Sequence, residues 1–355
     1  MTAENPNRSY YPALDGLRGV AILLVVLYHN FDFLKQSFFG WLGVDLFFVL
    51  SGFLITSILL KEVSSPHFLK NFFMRRVLRI FPLYFLCLII FLIVFPLLGL
   101  YKKELRFFVE NQWWLWTYLQ NWLYSFHLTN DAKVLTHLWS LAVEEQFYLI
   151  WPFVILVVRK PGRLFFIMLT VLLLVMTARS VVWFSQIEDL NYTTLYTFTR
   201  IDGICMGSMV VLLMRFKPGL ITNNTWLIAL VLAAMNFIFY FLNPSEKEGY
   251  PYFAFIGYTT FCAMFGLLVH EIITNSQSMI SKALSFLPLR FLGKISYGFY
   301  VFHWPIYLLT RQSLLAETGS KLWASIISTT IAILISVISY YTFERYFLKL
   351  KDKFK

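Results

Sequence analysis

Apolar runs long enough to cross a lipid bilayer recur from one end of this chain to the other, and no other feature restricts its fold so strongly. Inside hydrocarbon every backbone N–H and C=O must be satisfied within the spanning structure, which leaves helices and closed barrels. The runs here are continuous rather than alternating, and that selects helices. Ten spans are expected, near residues 17–33, 41–60, 80–100, 138–158, 164–183, 200–214, 224–242, 252–273, 291–310 and 322–343. Composition agrees, because 59% of the residues are hydrophobic and 14% charged, against about half and a quarter in soluble domains. The expected fold is all-α and polytopic. Residues 1–16 form a cytoplasmic segment, 17–344 a single membrane domain and 345–355 a basic cytoplasmic tail.

A net charge of +11 would suit a nucleic-acid binder, but its distribution argues otherwise. Basic residues gather in alternate loops, as in Lys70, Arg75, Arg76 and Arg79 and again in Arg159, Lys160 and Arg163. That is the asymmetry of membrane topology, and it puts both termini on the cytoplasmic side, with the bilayer rather than nucleic acid as partner. The polar start shows no signal-peptide pattern, so the first span itself is expected to direct insertion. Cys87, Cys205 and Cys262 all lie in apolar segments without metal-like spacing, so neither a disulfide nor a metal is expected.

The expected topology gives each polar residue a depth. The first span, LRGVAILLVVLYHNFDF, carries Arg18 near its inner end and His29 in its outer half. Eleven residues are close to three helical turns, so both side chains leave nearly the same face about 16 Å apart. Asp45, Glu144, Glu145 and His303 are expected at the depth of His29, and such ionisable groups in a membrane are costly and usually functional. His29 suits a general base, with a carboxylate such as Glu144 to orient it. The bland reading of His29 is a helix-to-helix hydrogen bond. Glu144 and Glu145 project about 100° apart, so one of them serves the site. Asp45 is read either as catalytic or as a helix cap or partner of an arginine.

Arg75, Arg76 and Arg79 lie at helical spacings of three and four. They are either a lipid anchor or a seat for phosphates, which guanidinium groups bind in bidentate fashion. Arg200 and Asp202 in TRIDGICMG are read as a structural ion pair or as acceptor contacts, with Trp139 as a further candidate for binding the acceptor. The stretch NQWWLWTYLQNWLYSF is read as an interfacial amphipathic helix or as a sugar-stacking platform. His67, His127, His137 and His270 fall in loops or near span ends and receive no role.

At these residues the chain resembles the acyltransferase-3 family of membrane O-acyltransferases. The blocks YPALDGLRGVAILLVVLYH, GVDLFFVLSGFLI, RRVLRIFPLY, HLWSLAVEEQFYLIWP, TRIDGICMG and ISYGFYVFHWPIYL carry the resemblance over essentially the whole chain. It implies transfer of an acyl group, commonly acetyl, from cytoplasmic acyl-CoA to a hydroxyl of an extracytoplasmic glycan or glycolipid, as in polysaccharide modification of a bacterial cell envelope. It implies a multi-pass protein of the bacterial inner membrane. It carries essential roles onto Arg18 and His29, and its other motif positions onto Arg75, Arg76, Arg79, Glu144 and His303. Some members carry a fused esterase-like domain after the membrane part. This sequence ends in a basic tail at Lys355, so a separate extracytoplasmic acceptor-transfer protein is an expected partner. The competing class is a transporter or flippase that uses buried His and Glu for proton coupling, although no inverted repeat supports it.

Overall fold

The computed structural model describes residues 11–31, 40–127, 133–185, 194–221, 225–242 and 253–354. Most of the expected N-terminal segment and the side chain of His127 lie outside the described residues. Among those described, every regular element is a helix. The protein is an all-α polytopic membrane protein, and among the described residues seven helices are long and apolar enough to cross a bilayer.

The helices that build the site are α1 (Pro12–Asn30), α2 (Leu42–Glu62) and α3 (Phe68–Ile89), the last continuing through a π turn to Leu97. Three short helices follow, α4 (Lys102–Glu110), α5 (Gln112–Trp116) and α6 (Gln120–His127). A 3₁₀ turn at Thr136–Leu138 opens α7 (Trp139–Val158). Then come α8 (Pro161–Phe184), α9 (Thr197–Arg200), α10 (Asp202–Phe216), α11 (Thr225–Leu242), α12 (Tyr258–Thr274) and α13 (Met279–Leu284). The chain closes with α14 (Leu287–Thr318) and α15 (Lys321–Ser339, carried through a π turn to Lys351). Each of the ten expected segments falls on one of these helices.

Two boundaries differ from expectation in ways that matter. Helix α3 begins at Phe68 rather than near residue 80, so Arg75, Arg76 and Arg79 ride on the spanning helix itself. Hydropathy misses this because the three guanidinium groups interrupt the apolar run, while their inward direction keeps the helix intact. The aromatic stretch 111–126 is no single amphipathic helix. It breaks at Tyr118, which takes a left-handed φ of 56°, and folds back so that Tyr118 stacks on Tyr84 at 4.2 Å. Trp113 is left 75% exposed, while Leu115 and Tyr124 are buried.

Close helix approach fixes the register of the site. A Cβ at Gly293 of α14 would stand 1.8 Å from the Asp15 carbonyl of α1, so only glycine allows the two backbones to meet there. Asn30 Nδ2 then ties the far end of α1 to Thr329 Oγ1 of α15 at 3.0 Å. Arg18, His29 and His303 are thereby held on helices in direct contact.

Candidate functional site

The polar residues singled out from sequence separate into three groups. The first surrounds a cavity of about 340 Å³ between α1, α2, α3, α7 and α14. Arg18, Arg76, Arg79 and Glu144 line it, together with Ser51 and Tyr148. Arg18 Nη1 is 3.4 Å from Asp15 Oδ1, one turn earlier on α1. The Ser51 and Tyr148 hydroxyls are hydrogen-bonded to one another. Arg76 Nε is buried without a protein acceptor, and its guanidinium lies 5.9 Å from the Tyr148 ring centroid. A buried N–H without a partner costs free energy unless an anion or water takes it. Three guanidinium groups around one cavity fit a polyanion such as a phosphate ester.

Arg75 does not belong to this group. It is buried and forms a two-pronged ion pair with Glu62, through Nη1–Oε1 at 2.8 Å and a second contact. One residue of offset on α3 turns it about 100° away from Arg76. Of the two adjacent carboxylates it is Glu144 that reaches the cavity, while Glu145 Oε1 is buried without a partner outside the lining.

Three imidazoles form the second group. The His29 and His303 ring centroids are 5.3 Å apart, and those of His303 and His137 are 5.4 Å apart. His29 is half-buried and packs on Trp304 at 4.9 Å, whereas His303 and His137 are buried. His137 received no role from sequence because it precedes the fourth expected span. Its backbone is fastened from α6, where Gln120 Nε2 donates to Leu138 O at 2.8 Å and Tyr124 Oη to Leu135 O at 3.4 Å. Glu144 was expected at the depth of His29. It stands about two helical turns below His137 on α7, level with the arginines.

Tyr300 connects the two groups. Its ring lines the cavity and lies 5.7 Å from His303 and 5.5 Å from His137. Its hydroxyl donates to His137 O at 2.5 Å and receives the Ser140 hydroxyl at 2.6 Å. Ser140 and Tyr300 thus form the end of the arginine-lined cavity that faces the histidines.

The third group lies apart from both. Asp45 pairs with Arg200, and Asp202 pairs with Arg179 at 2.7 Å. Arg179 also donates to Thr199 O at 3.0 Å and Thr259 Oγ1 at 2.7 Å, and the Arg200 guanidinium lies over Tyr258 at 4.1 Å and Trp139 at 5.4 Å. All four charged residues are buried and none lines the cavity. Asp45 thus takes the arginine-partner alternative of its reading and Arg200 and Asp202 the ion-pair alternative, while Trp139 lies beneath the Arg200 guanidinium. These residues pair with one another and join α2, α7, α8, α9, α10 and α12, while Asp45 Oδ2, Asp202 Oδ1 and the Nε atoms of Arg179 and Arg200 are buried without a protein partner. Arg179 is the partner that sequence could not supply, since nothing local pairs it with a residue 23 positions on. Among the described residues no group of three or more His, Cys, Asp or Glu side chains is placed to hold a metal ion.

This helical membrane protein thus carries a cationic cavity that ends beside clustered histidines. Residues 11–342 match the family described as an acyltransferase domain, and the chain belongs to that family. It is 32% identical to the peptidoglycan O-acetyltransferase OatA of Listeria monocytogenes over 98% of this chain and 58% of that protein. It is 30% identical to the O-acetyltransferase OatA of Staphylococcus aureus over 93% of this chain and 56% of that one. The chain therefore spans somewhat more than half the length of these curated relatives. No solved structure matches it.

Proposed function

We propose that this protein transfers an acyl group, acetyl by analogy with its relatives, from acyl-CoA to a hydroxyl of a cell-envelope glycan across a bacterial inner membrane. The observation that carries this reading is the cavity lined by Arg18, Arg76 and Arg79 whose far end, Ser140 and Tyr300, adjoins the histidine cluster. The arginines hold the phosphates of the donor near the cytoplasmic face, and the pantetheine arm runs along the cavity towards Tyr300. Both termini are cytoplasmic in this account, and the ten helices named from sequence all cross the membrane. The acceptor is a peptidoglycan strand or its lipid-linked precursor, in keeping with the names of the relatives.

His29 acts on the acceptor. Its Nδ1 donates to Val25 O at 2.8 Å, and because a carbonyl only accepts, the neutral ring carries its lone pair on Nε2. That nitrogen removes the proton of the acceptor hydroxyl as the oxygen attacks the acyl carbon. Incubating the purified protein with acetyl-labelled acetyl-CoA and a soluble glycan tests the reading. Label is expected in the glycan, with His29→Ala reducing the rate by about 100-fold or more while the protein stays folded. A transporter would leave the thioester intact, and an unimpaired His29→Ala enzyme would remove His29 from the chemistry.

A further inference from the structure

His137 and His303 are joined to His29 by more than proximity. His303 Nδ1 lies 2.7 Å from Tyr300 O and 3.2 Å from Phe299 O, so it is the protonated nitrogen of the neutral ring. The lone pair of His303 is then on Nε2, which is buried and has no hydrogen-bond partner. His137 shows the opposite tautomer. Its Nε2 donates to Val301 O at 3.2 Å, which leaves the lone pair on Nδ1, again buried and without a partner. Two buried acceptors with no donor between them are an expensive arrangement. A proton arriving on His303 Nε2 supplies the missing donor to this pair, whose rings lie edge to face with centroids 5.4 Å apart.

We infer that His303 takes the proton from His29 during acyl transfer and that His137 Nδ1 receives the hydrogen bond of the resulting imidazolium. The inference rests on the function proposed above and adds His137, a positioning residue, to the reaction. The acceptor O–H bond breaks and its proton moves to His29 Nε2 as the oxygen bonds to the thioester carbonyl carbon. The C–S bond then breaks and sulfur keeps the electron pair. The proton passes from His29 Nε2 to His303 Nε2 and on to sulfur, giving ester and free thiol with no other reactant. Tyr300 lines the donor cavity and its ring lies 5.7 Å from that of His303, which sets the imidazole cluster beside the end of that cavity. The two carbonyls under His303 keep Nδ1 protonated throughout, so the ring returns to the same tautomer after each cycle.

Conservative variants separate relay from packing. In His303→Asn the amide N–H still reaches the Tyr300 carbonyl, but nothing can take a proton at the position of Nε2. In His137→Asn the amide oxygen keeps an acceptor at the position of Nδ1, and His137→Leu removes it. With full-length protein in proteoliposomes, acetyl-CoA and a soluble N-acetylglucosamine oligosaccharide, His303→Asn is expected to lower kcat about 100-fold with donor KM unchanged. His137→Leu is expected to lower kcat about tenfold and His137→Asn to restore it to within about threefold. Wild-type kcat in His303→Asn or His137→Leu, or equal losses in both His137 variants at equal thermal stability, would overturn the relay. Nitrogen-15 NMR of histidine-labelled protein tests it without any turnover. Nδ1–H on His303 and Nε2–H on His137 are expected, and the reverse tautomer on either would overturn the inference even if wild-type protein transferred no acetyl group. Failure of wild-type transfer with the expected tautomers would instead refute the proposed function and, with it, the step assigned here.

Discussion

Arg75 and Arg76 are neighbours in sequence with different tasks. Arg75 spends both prongs of its guanidinium on Glu62, whereas Arg76 faces the cavity with Arg18 and Arg79. The helical spacing of the three arginines was legible in sequence, but the direction of each was not, because Glu62 comes from another helix. Charge reversal of Arg76 and Arg79 together is therefore expected to raise the donor KM about tenfold or more without changing the acceptor KM. Arg75→Gln is expected to leave the donor KM within about twofold and to lower thermal stability, since it strands a partly buried Glu62. Steady-state kinetics with the donor varied checks both, and an unchanged donor KM in the double reversal would refute a phosphate seat. His137 marks the opposite limit of sequence reading. A histidine just outside an apolar run looks like a loop residue until the 3₁₀ turn folds it against His303.

At the scale of elements, the pairing of α1 with α14 holds the chemistry in register. Hydropathy was enough to find both helices, and the spacing of Arg18 and His29 predicted their common face. What sequence left unread was the contact between the helices, which depends on a glycine meeting a carbonyl 278 residues away. Gly293→Ala places a methyl group where 1.8 Å is available and must push α14 off α1. A stability loss of about 3 kcal/mol is expected, the upper end of the usual cost of overpacking. A larger effect on activity than on the melting temperature is also expected, because His303 moves relative to His29. Thermal unfolding in detergent together with initial rates measures both. A Gly293→Ala protein as stable and active as wild type would show that the backbone contact is dispensable. The Asp45, Arg200, Asp202 and Arg179 group shows the same limit, since its ion pairs join helices far apart in the chain. Its residues stood out as charges in apolar surroundings, which is a true signal of importance but does not distinguish architecture from chemistry.

For the whole molecule, the polar interior is organised in two levels. A cavity lined by Arg18, Arg76 and Arg79 occupies one level and an imidazole cluster the next, with Ser140 and Tyr300 between them. The buried ion pairs brace the helices to one side. The sequence suggested two levels through the expected depths of Arg18 and His29 and put Glu144 with His29, whereas Glu144 lines the cavity with the arginines. The difference has a physical origin: a span's start fixes depth only to within a turn or two, and the polar turn before Trp139 carries His137 instead.

The central claim is that donor and acceptor meet from opposite faces of the membrane, and sealed proteoliposomes test it directly. With acetyl-CoA enclosed and the glycan supplied outside, acetylated glycan is expected outside. With both substrates outside and none within, no transfer above the His29→Ala background is expected. Transfer that proceeds only when donor and acceptor share one side would contradict the account.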